Sequence, residues 1–288
     1  MSIVQVGQRN SSSPLTSEQI DALWTIDHPF DGYNRLRIVL SEHPESADEL
    51  RTQISRSLGL MGKFDEAWDE IAKVSKDPPE IVKVRIQLES GRLKNSSGSA
   101  EDSNPYFLKA LELAEQGHFD YYAVDAVHML GIVSNGPESV QWNEKGLELA
   151  DGSSDERTRK WKGSLLNNLG WTYFNMGDFS KALATFEAAL DYQKGAGDPV
   201  RIRIAQWTVG RCLRALKRYD AALAIQSELI QHPEQGYVSE ELGELLLAME
   251  RHQEAKLRFK KAYELLARNL GADPRQTNRL ARLRELSE

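Results

Sequence analysis

The chain has 288 residues, 40% hydrophobic and 27% charged, with 20 Gly, 10 Pro and a single cysteine, Cys212. No apolar run approaches the roughly 18–20 residues that span a bilayer, the first residues lack the apolar core of a secretory signal, and one cysteine cannot form an internal disulfide, so a soluble cytoplasmic protein with no membrane partner is expected. The net charge of −7 divides into −11 over residues 1–200 and +4 over 201–288, which withholds the phosphate-neutralising charge of a nucleic-acid binder.

Leu and Ala abound while strand-like runs of Val, Ile and Thr are nearly absent, so the fold class is predicted as all-α. Residues 1–15 are expected to be disordered and 16–288 to form one repeat domain. A capping residue ahead of proline marks helix starts at Asp77-Pro78-Pro79-Glu80, Asn104-Pro105, Gly136-Pro137-Glu138, Asp198-Pro199 and Asp273-Pro274. Reading between these signals predicts helix pairs near 17–43, 46–75, 79–116, 118–150, 156–194, 199–231 and 234–268. The polar stretch KNSSGSAEDSN (94–104) reads as a mobile inserted loop in the third pair. A last helix at about 274–286 carries Leu280, Leu283 and Leu286 on one side, as the terminal cap of an open stack would.

The pairs repeat in sequence. MGDFSKAL (176–183) recurs as MGKFDEAW (61–68), LKRYDAAL (216–223) and MERHQEAK (249–256), and NNLGWTY (167–173) aligns with TVGRCL (208–213) and EELGELL (240–246). Gly170 to Gly210 is 40 residues and Gly210 to Gly243 is 33, a period near 34 with one longer linker. Glycine inside a helix costs about 1 kcal/mol against alanine, a cost tolerated where two helix backbones approach closely. Ala182, Ala222 and Ala255 do the same on the second helix, with Leu169, Tyr173, Phe179 and Phe186 filling the space. One such pair cannot bury its own apolar face and must stack on neighbours.

This pattern resembles the tetratricopeptide repeat. Leu166, Leu169, Gly170, Tyr173, Gly177, Phe179, Ala182, Phe186 and Ala189 match its signature for one unit. The resemblance implies a right-handed α-solenoid of about six or seven stacked antiparallel helix pairs with a C-terminal capping helix. It also implies that the first helices of successive pairs line a groove holding extended or helical peptides.

Catalytic motifs are absent: there is no H-E-x-x-H, G-x-S-x-G, phosphate-cradling or dinucleotide-binding glycine pattern. The six histidines are scattered with no i, i+4 pair, which argues against a zinc site. Cys212 lies among packing positions as a buried, inert thiol. The chain is therefore read as non-enzymatic, with no cofactor and no metal.

A recognition surface has more support. On the first helix of the fifth pair, Lys160, Ser164, Asn167, Trp171 and Asn175 share one face; on that of the sixth, Arg203, Trp207, Arg211 and Arg214 do. Arginine offers bidentate pairing, asparagine backbone hydrogen bonds and tryptophan stacking area. Together they form a candidate groove for a peptide bearing Asp, Glu or a C-terminal carboxylate. The competing reading pairs Arg211 and Arg214 with Glu240, Glu241 and Glu244 of the next unit and uses the tryptophans for packing. The carboxylate clamp of chaperone adaptors is disfavoured, because the matching positions hold Asn167 and Trp171, Thr208, then Tyr237 and Glu241. The leading function is a scaffold or adaptor for protein segments; the alternative is a regulatory sensor of a short peptide or small anionic ligand. LWTIDHPFDGYNRLRIVL (23–40) reads either as a divergent first pair or as the self-association surface of a homodimer.

Overall fold

Side-chain caps start some of the helices and are lacking at others: the helices beginning at Glu80 and Asn104 have no side-chain cap hydrogen bond, so the caps expected from Asp77 and Asn104 do not form. In the computed structural model, which describes residues 13–232, 236–270 and 276–288, Thr16 and Gln19 form a reciprocal capping box at α1 (Ser17–Asp21). Asp178 accepts the Lys181 N–H at α11 (Phe179–Ala196), and Gly197, with φ of 79°, closes that helix in the left-handed conformation. Asp198 accepts the Val200 and Arg201 N–H groups ahead of α12 (Pro199–Ala215), with proline at the first position.

The remaining helices are α2 (Pro29–Glu42), α3 (Ala47–Leu60), α4 (Phe64–Ala72), α5 (Glu80–Ser96), α6 (Asn104–Gln116), α7 (Asp120–Val133) and α8 (Gly136–Gly152). After them come α9 (Glu156–Arg159), α10 (Lys162–Asn175), α13 (Tyr219–Leu229), α14 (Gly236–Ala248), α15 (His252–Leu270) and α16 (Thr277–Ser287). The described residues contain helices and no strand. The fold is all-α, built of consecutive packed helix pairs.

The polar stretch at 94–104 is shorter as a connection than its composition suggests. Helix α5 continues to Ser96 and a 3-10 turn takes Glu101–Ser103. The backbone is satisfied locally, by Ser99 N–H on the Lys94 carbonyl at 3.0 Å and by the Ser103 hydroxyl on the Ala100 carbonyl at 2.5 Å. Residues 1–12 of the expected disordered segment, and the Asp273-Pro274 cap, lie outside the described residues.

The chain forms two compact units that divide α8 between them. The first takes the chain up to Ser134 together with Glu148–Arg159. Its core joins Ile20, Leu36, Leu50, Ile54, Leu58, Ala67 and Leu93. The second takes Asn135–Leu147 and Lys160–Glu288. There Ala182, Leu183, Phe186, Val209, Cys212, Leu213, Ala222 and Leu245 form one cluster. Another is made by Leu246, Ala255, Phe259, Ala262, Leu266 and Leu283, the last on α16.

Close helix approach explains the glycines. A Cβ on Gly170 would stand 2.5 Å from the Phe186 ring, and one on Gly243 would stand 2.6 Å from Phe259. Gly91 has the same relation to Phe107 at 2.5 Å. In each case the ring lies 16 residues after the glycine, so the α5–α6 pair carries a repeat core that the decayed local motif hides.

Candidate functional site

In the second unit, α10, α12 and α14 are the first helices of successive pairs, and α16 follows them. Helical spacing on α12 points Trp207, Arg211 and Arg214 to one side. Trp207 and Trp171 of α10 lie with ring centroids 6.1 Å apart. The Arg211 guanidinium sits 5.4 Å from each of these two rings and 5.9 Å from Phe174. Both indoles also pack. Trp171 meets Phe186 edge-on at 5.2 Å, and Trp207 donates its N–H to the Tyr237 carbonyl at 3.2 Å.

A pocket of about 290 Å³ opens beside this cluster, lined by Trp207, Arg211, Arg214, Tyr237, Glu240, Glu241, Glu244 and Arg282. Its charges are mostly matched. Arg214 grips Glu241 with two bonds, Nε to Oε1 at 2.5 Å and Nη2 to Oε2 at 3.1 Å. Arg282 Nη1 lies 2.5 Å from Glu244, and Arg279 pairs with Glu240 through Nε at 2.9 Å while its guanidinium covers the Tyr237 ring at 4.5 Å. Arg211 is different: its nearest carboxylate is Glu241, at 4.0 Å, and its buried Nε has no hydrogen-bond partner among the described residues. Glu241 itself is 3% exposed. Burial pushes its carboxyl above the usual range, and Arg214 and Arg211 pull it back.

Of the eight residues singled out in sequence, the structure brings Trp171, Trp207, Arg211 and Arg214 together. Asn167 and Arg203 are half-exposed, Asn175 is exposed, and none of the three lines the pocket. Lys160 is exposed on the turn between α9 and α10, two residues before the helix that would aim it begins. Arg279 and Arg282 went unrecognised because they sit on the terminal helix; their signal is the placement of two arginines on a capping helix that needs only leucines. Cys212 is fully buried, donates to the Phe179 carbonyl at 3.3 Å, and its thiol is pushed up to about 11 by burial. Among the described residues no group of His, Cys, Asp and Glu is placed to hold a metal ion, and no helix is long and apolar enough to cross a membrane.

The segment 23–40 splits by burial. Leu36 is in the core, and Leu23, Trp24 and Tyr33 pack against it, whereas Ile26, Phe30 and Ile38 are about 60% exposed.

A stack of helix pairs with this glycine and aromatic packing defines a helical-repeat protein. Family profiles described as tetratricopeptide repeat match residues 163–196 and 203–268, and over these residues the chain carries tetratricopeptide repeats. No curated protein matches it in sequence. Among solved structures it is similar to a signal-transduction ATPase with numerous domains and a tetratricopeptide repeat sensor, from Pyrococcus horikoshii. That match has TM-score 0.70 and 16% identity over 91% of this chain, but the chain spans only 45% of that protein. It is also similar to NprR in complex with its cognate peptide NprX, with TM-score 0.62 and 16% identity over 93% of this chain and 82% of that one. The apo form of the quorum sensor NprR from B. thuringiensis gives TM-score 0.61 and 15% identity, covering 94% and 81%. Identities this low establish a shared fold.

Proposed function

We propose that the protein is a non-enzymatic adaptor that holds a peptide segment along α10, α12 and α14, seating one carboxylate of the partner on Arg211. The observation that carries this reading is the contrast among the pocket's cations. Arg214 and Arg282 have close carboxylates, whereas Arg211 is held by aromatic faces and a carboxylate 4.0 Å away. A planar guanidinium fixed by stacking is pre-organised for bidentate pairing with an incoming carboxylate. Asn167, half-exposed on the same face of α10 as Trp171, suits a backbone amide of the same segment. A buried unreactive thiol agrees with work in a reducing cytoplasm.

The alternative is a regulatory sensor of a small anionic ligand, and the size of the pocket bears on it. Small-molecule sites usually enclose roughly 300–1,000 Å³; this cavity of about 290 Å³ lies at the small end of that range, and its mostly charged lining suits a polar side chain of a longer segment. The peptide present in the similar NprR structure favours the same choice.

The test uses labelled seven-residue peptides that differ only in one carboxylate. The unchanged protein should retain the acidic members, and Arg211→Gln should weaken them at least tenfold while leaving neutral peptides alone. Equal binding by Arg211→Gln would remove the site. Arg214 is a poor target for this purpose, because its loss strands Glu241. A small anion that saturates binding and raises the melting temperature without any peptide would support the sensor instead.

A further inference from the structure

A different surface, in the first unit, already holds a peptide-like segment: the chain's own residues 15–24. Helix α1 is five residues long, too short to be stable alone. In an ordinary stack a terminal helix meets only its neighbour, yet Asp21 reaches side chains from three more distant helices. Arg85 of α5 donates to its Oδ1 at 2.8 Å, and Tyr122 of α7 donates to its Oδ2 at 3.2 Å. Arg157 of α9 pairs with Oδ2 at 3.1 Å. Arg85 also donates to the Ser17 carbonyl at 3.2 Å, so one guanidinium reads both a carboxylate and the backbone one helical turn before it. On either side, the Leu15 N–H is taken by the Ser46 hydroxyl at 2.8 Å. The Trp24 indole donates to Gln53 at 3.1 Å, beneath the Arg56 guanidinium.

The receiving surface is braced independently of this segment. Arg85 Nε lies 2.9 Å from Glu49, Arg157 stacks 3.4 Å over the Tyr121 ring, and Gln53 donates to Thr52 at 3.0 Å. With Asp21 gone, each cationic reader therefore keeps a partner, and the apolar contacts of Ile20, Leu23 and Trp24 with the core are the ones a replacing segment must remake. The connection to α2, residues 22–28, is exposed at Ala22 and over 25–28 and supplies the slack for release. Only Ile20 of α1 is fully buried.

We infer that residues 15–24 are an intramolecular ligand of a peptide-reading surface on α3, α5, α7 and α9. A partner segment presenting a carboxylate with an aromatic ring three residues later displaces it. The inference concerns the first unit and does not rest on the Arg211 reading.

The test uses the full chain and a labelled synthetic peptide of residues 13–26. Asp21→Asn in the chain weakens the internal ligand, so this variant should bind the peptide at least tenfold tighter than the unchanged protein. Adding Arg157→Gln should cancel the gain, and a peptide carrying Asp21→Asn should not bind. A folded Asp21→Asn chain that binds no better than the unchanged one overturns the inference. If that variant does not fold, hydrogen exchange on the unchanged protein decides. Residues 17–24 should exchange faster than 50–58, and faster still with saturating peptide; protection equal to 50–58 and indifferent to peptide overturns it.

Discussion

Arg211 and Arg214 lie one helical turn apart on α12, yet removing each should have different consequences. Arg214 neutralises a carboxylate that is 3% exposed. Truncating one member of such a pair leaves a buried charge without its partner. Arg214→Ala is therefore expected to lower stability by roughly 2–4 kcal/mol in urea unfolding, and Arg211→Ala by less than about 1 kcal/mol, the worth of a partly exposed cation–π contact. A second residue reports acid. His128, flanked by Asp125, Arg92 and Arg56, has its pKa lowered to about 4, chiefly by burial. Its folded pKa lies below the unfolded one of about 6.5, so the neutral ring's stability is complete above that value. It is lost as the pH falls towards 4. His128→Gln should flatten urea-derived stability over that window, and an unchanged slope would assign the loss to other groups. The two readings of the arginines were both visible in sequence, because helical periodicity puts Arg211, Arg214 and Glu241 on facing sides. Which arginine each carboxylate chooses depends on rotamers and distances of about 1 Å, which periodicity does not encode.

The helix pair is held by contacts whose direction a substitution can reveal. Gly170→Ala gains up to about 1 kcal/mol of helix propensity, but its Cβ would meet a fully buried ring at 2.5 Å. Overpacking of that kind costs about 1–3 kcal/mol, so thermal unfolding should show a net loss. Gly210 faces the flexible end of Gln226 instead, and Gly210→Ala should cost less. The turns give the opposite sign. Lys217, with φ of 59°, takes a left-handed conformation like that of Gly177 in the matching turn. Lys217→Gly should relieve that backbone and raise stability by up to about 1 kcal/mol. The pairs around α10–α15 were legible because glycine, ring and small residue all persist there. The α5–α6 pair kept only Gly91 and Phe107, and the buried ionic groups of α5 and α7 were missed. Arg85, Glu89, Arg92 and Asp125 look like an ordinary solvated face until the neighbouring helix closes over them.

At the scale of the whole molecule, charge and exposed apolar surface set what the chain meets. The excess of −11 before residue 201 and of +4 after it would steer the acidic segments proposed as partners towards the C-terminal repeats. That attraction should weaken with salt once the Debye length falls below about 8 Å. Phe30 and Ile38, 63% and 59% exposed, are the residues through which the first pair would self-associate. Association there predicts a sedimentation coefficient that rises with concentration and a Phe30→Glu variant that stays monomeric; a monomer at every concentration leaves this face to solvent. Two compact units sharing α8 were not foreseen, since period-34 self-similarity reports neighbours and is silent about where a stack divides.

The packing of Arg211 against two indoles has an optical consequence. Tryptophan emission responds to a cation on its ring face, and the Trp171–Trp207 pair, 6.1 Å apart, is close enough for coupled near-ultraviolet dichroism. A carboxylate that draws the guanidinium outward would change both signals at once. If the proposed carboxylate binds Arg211, the protein would carry an intrinsic reporter of that event, and Trp207→Phe should silence the dichroic part while leaving the cation in place.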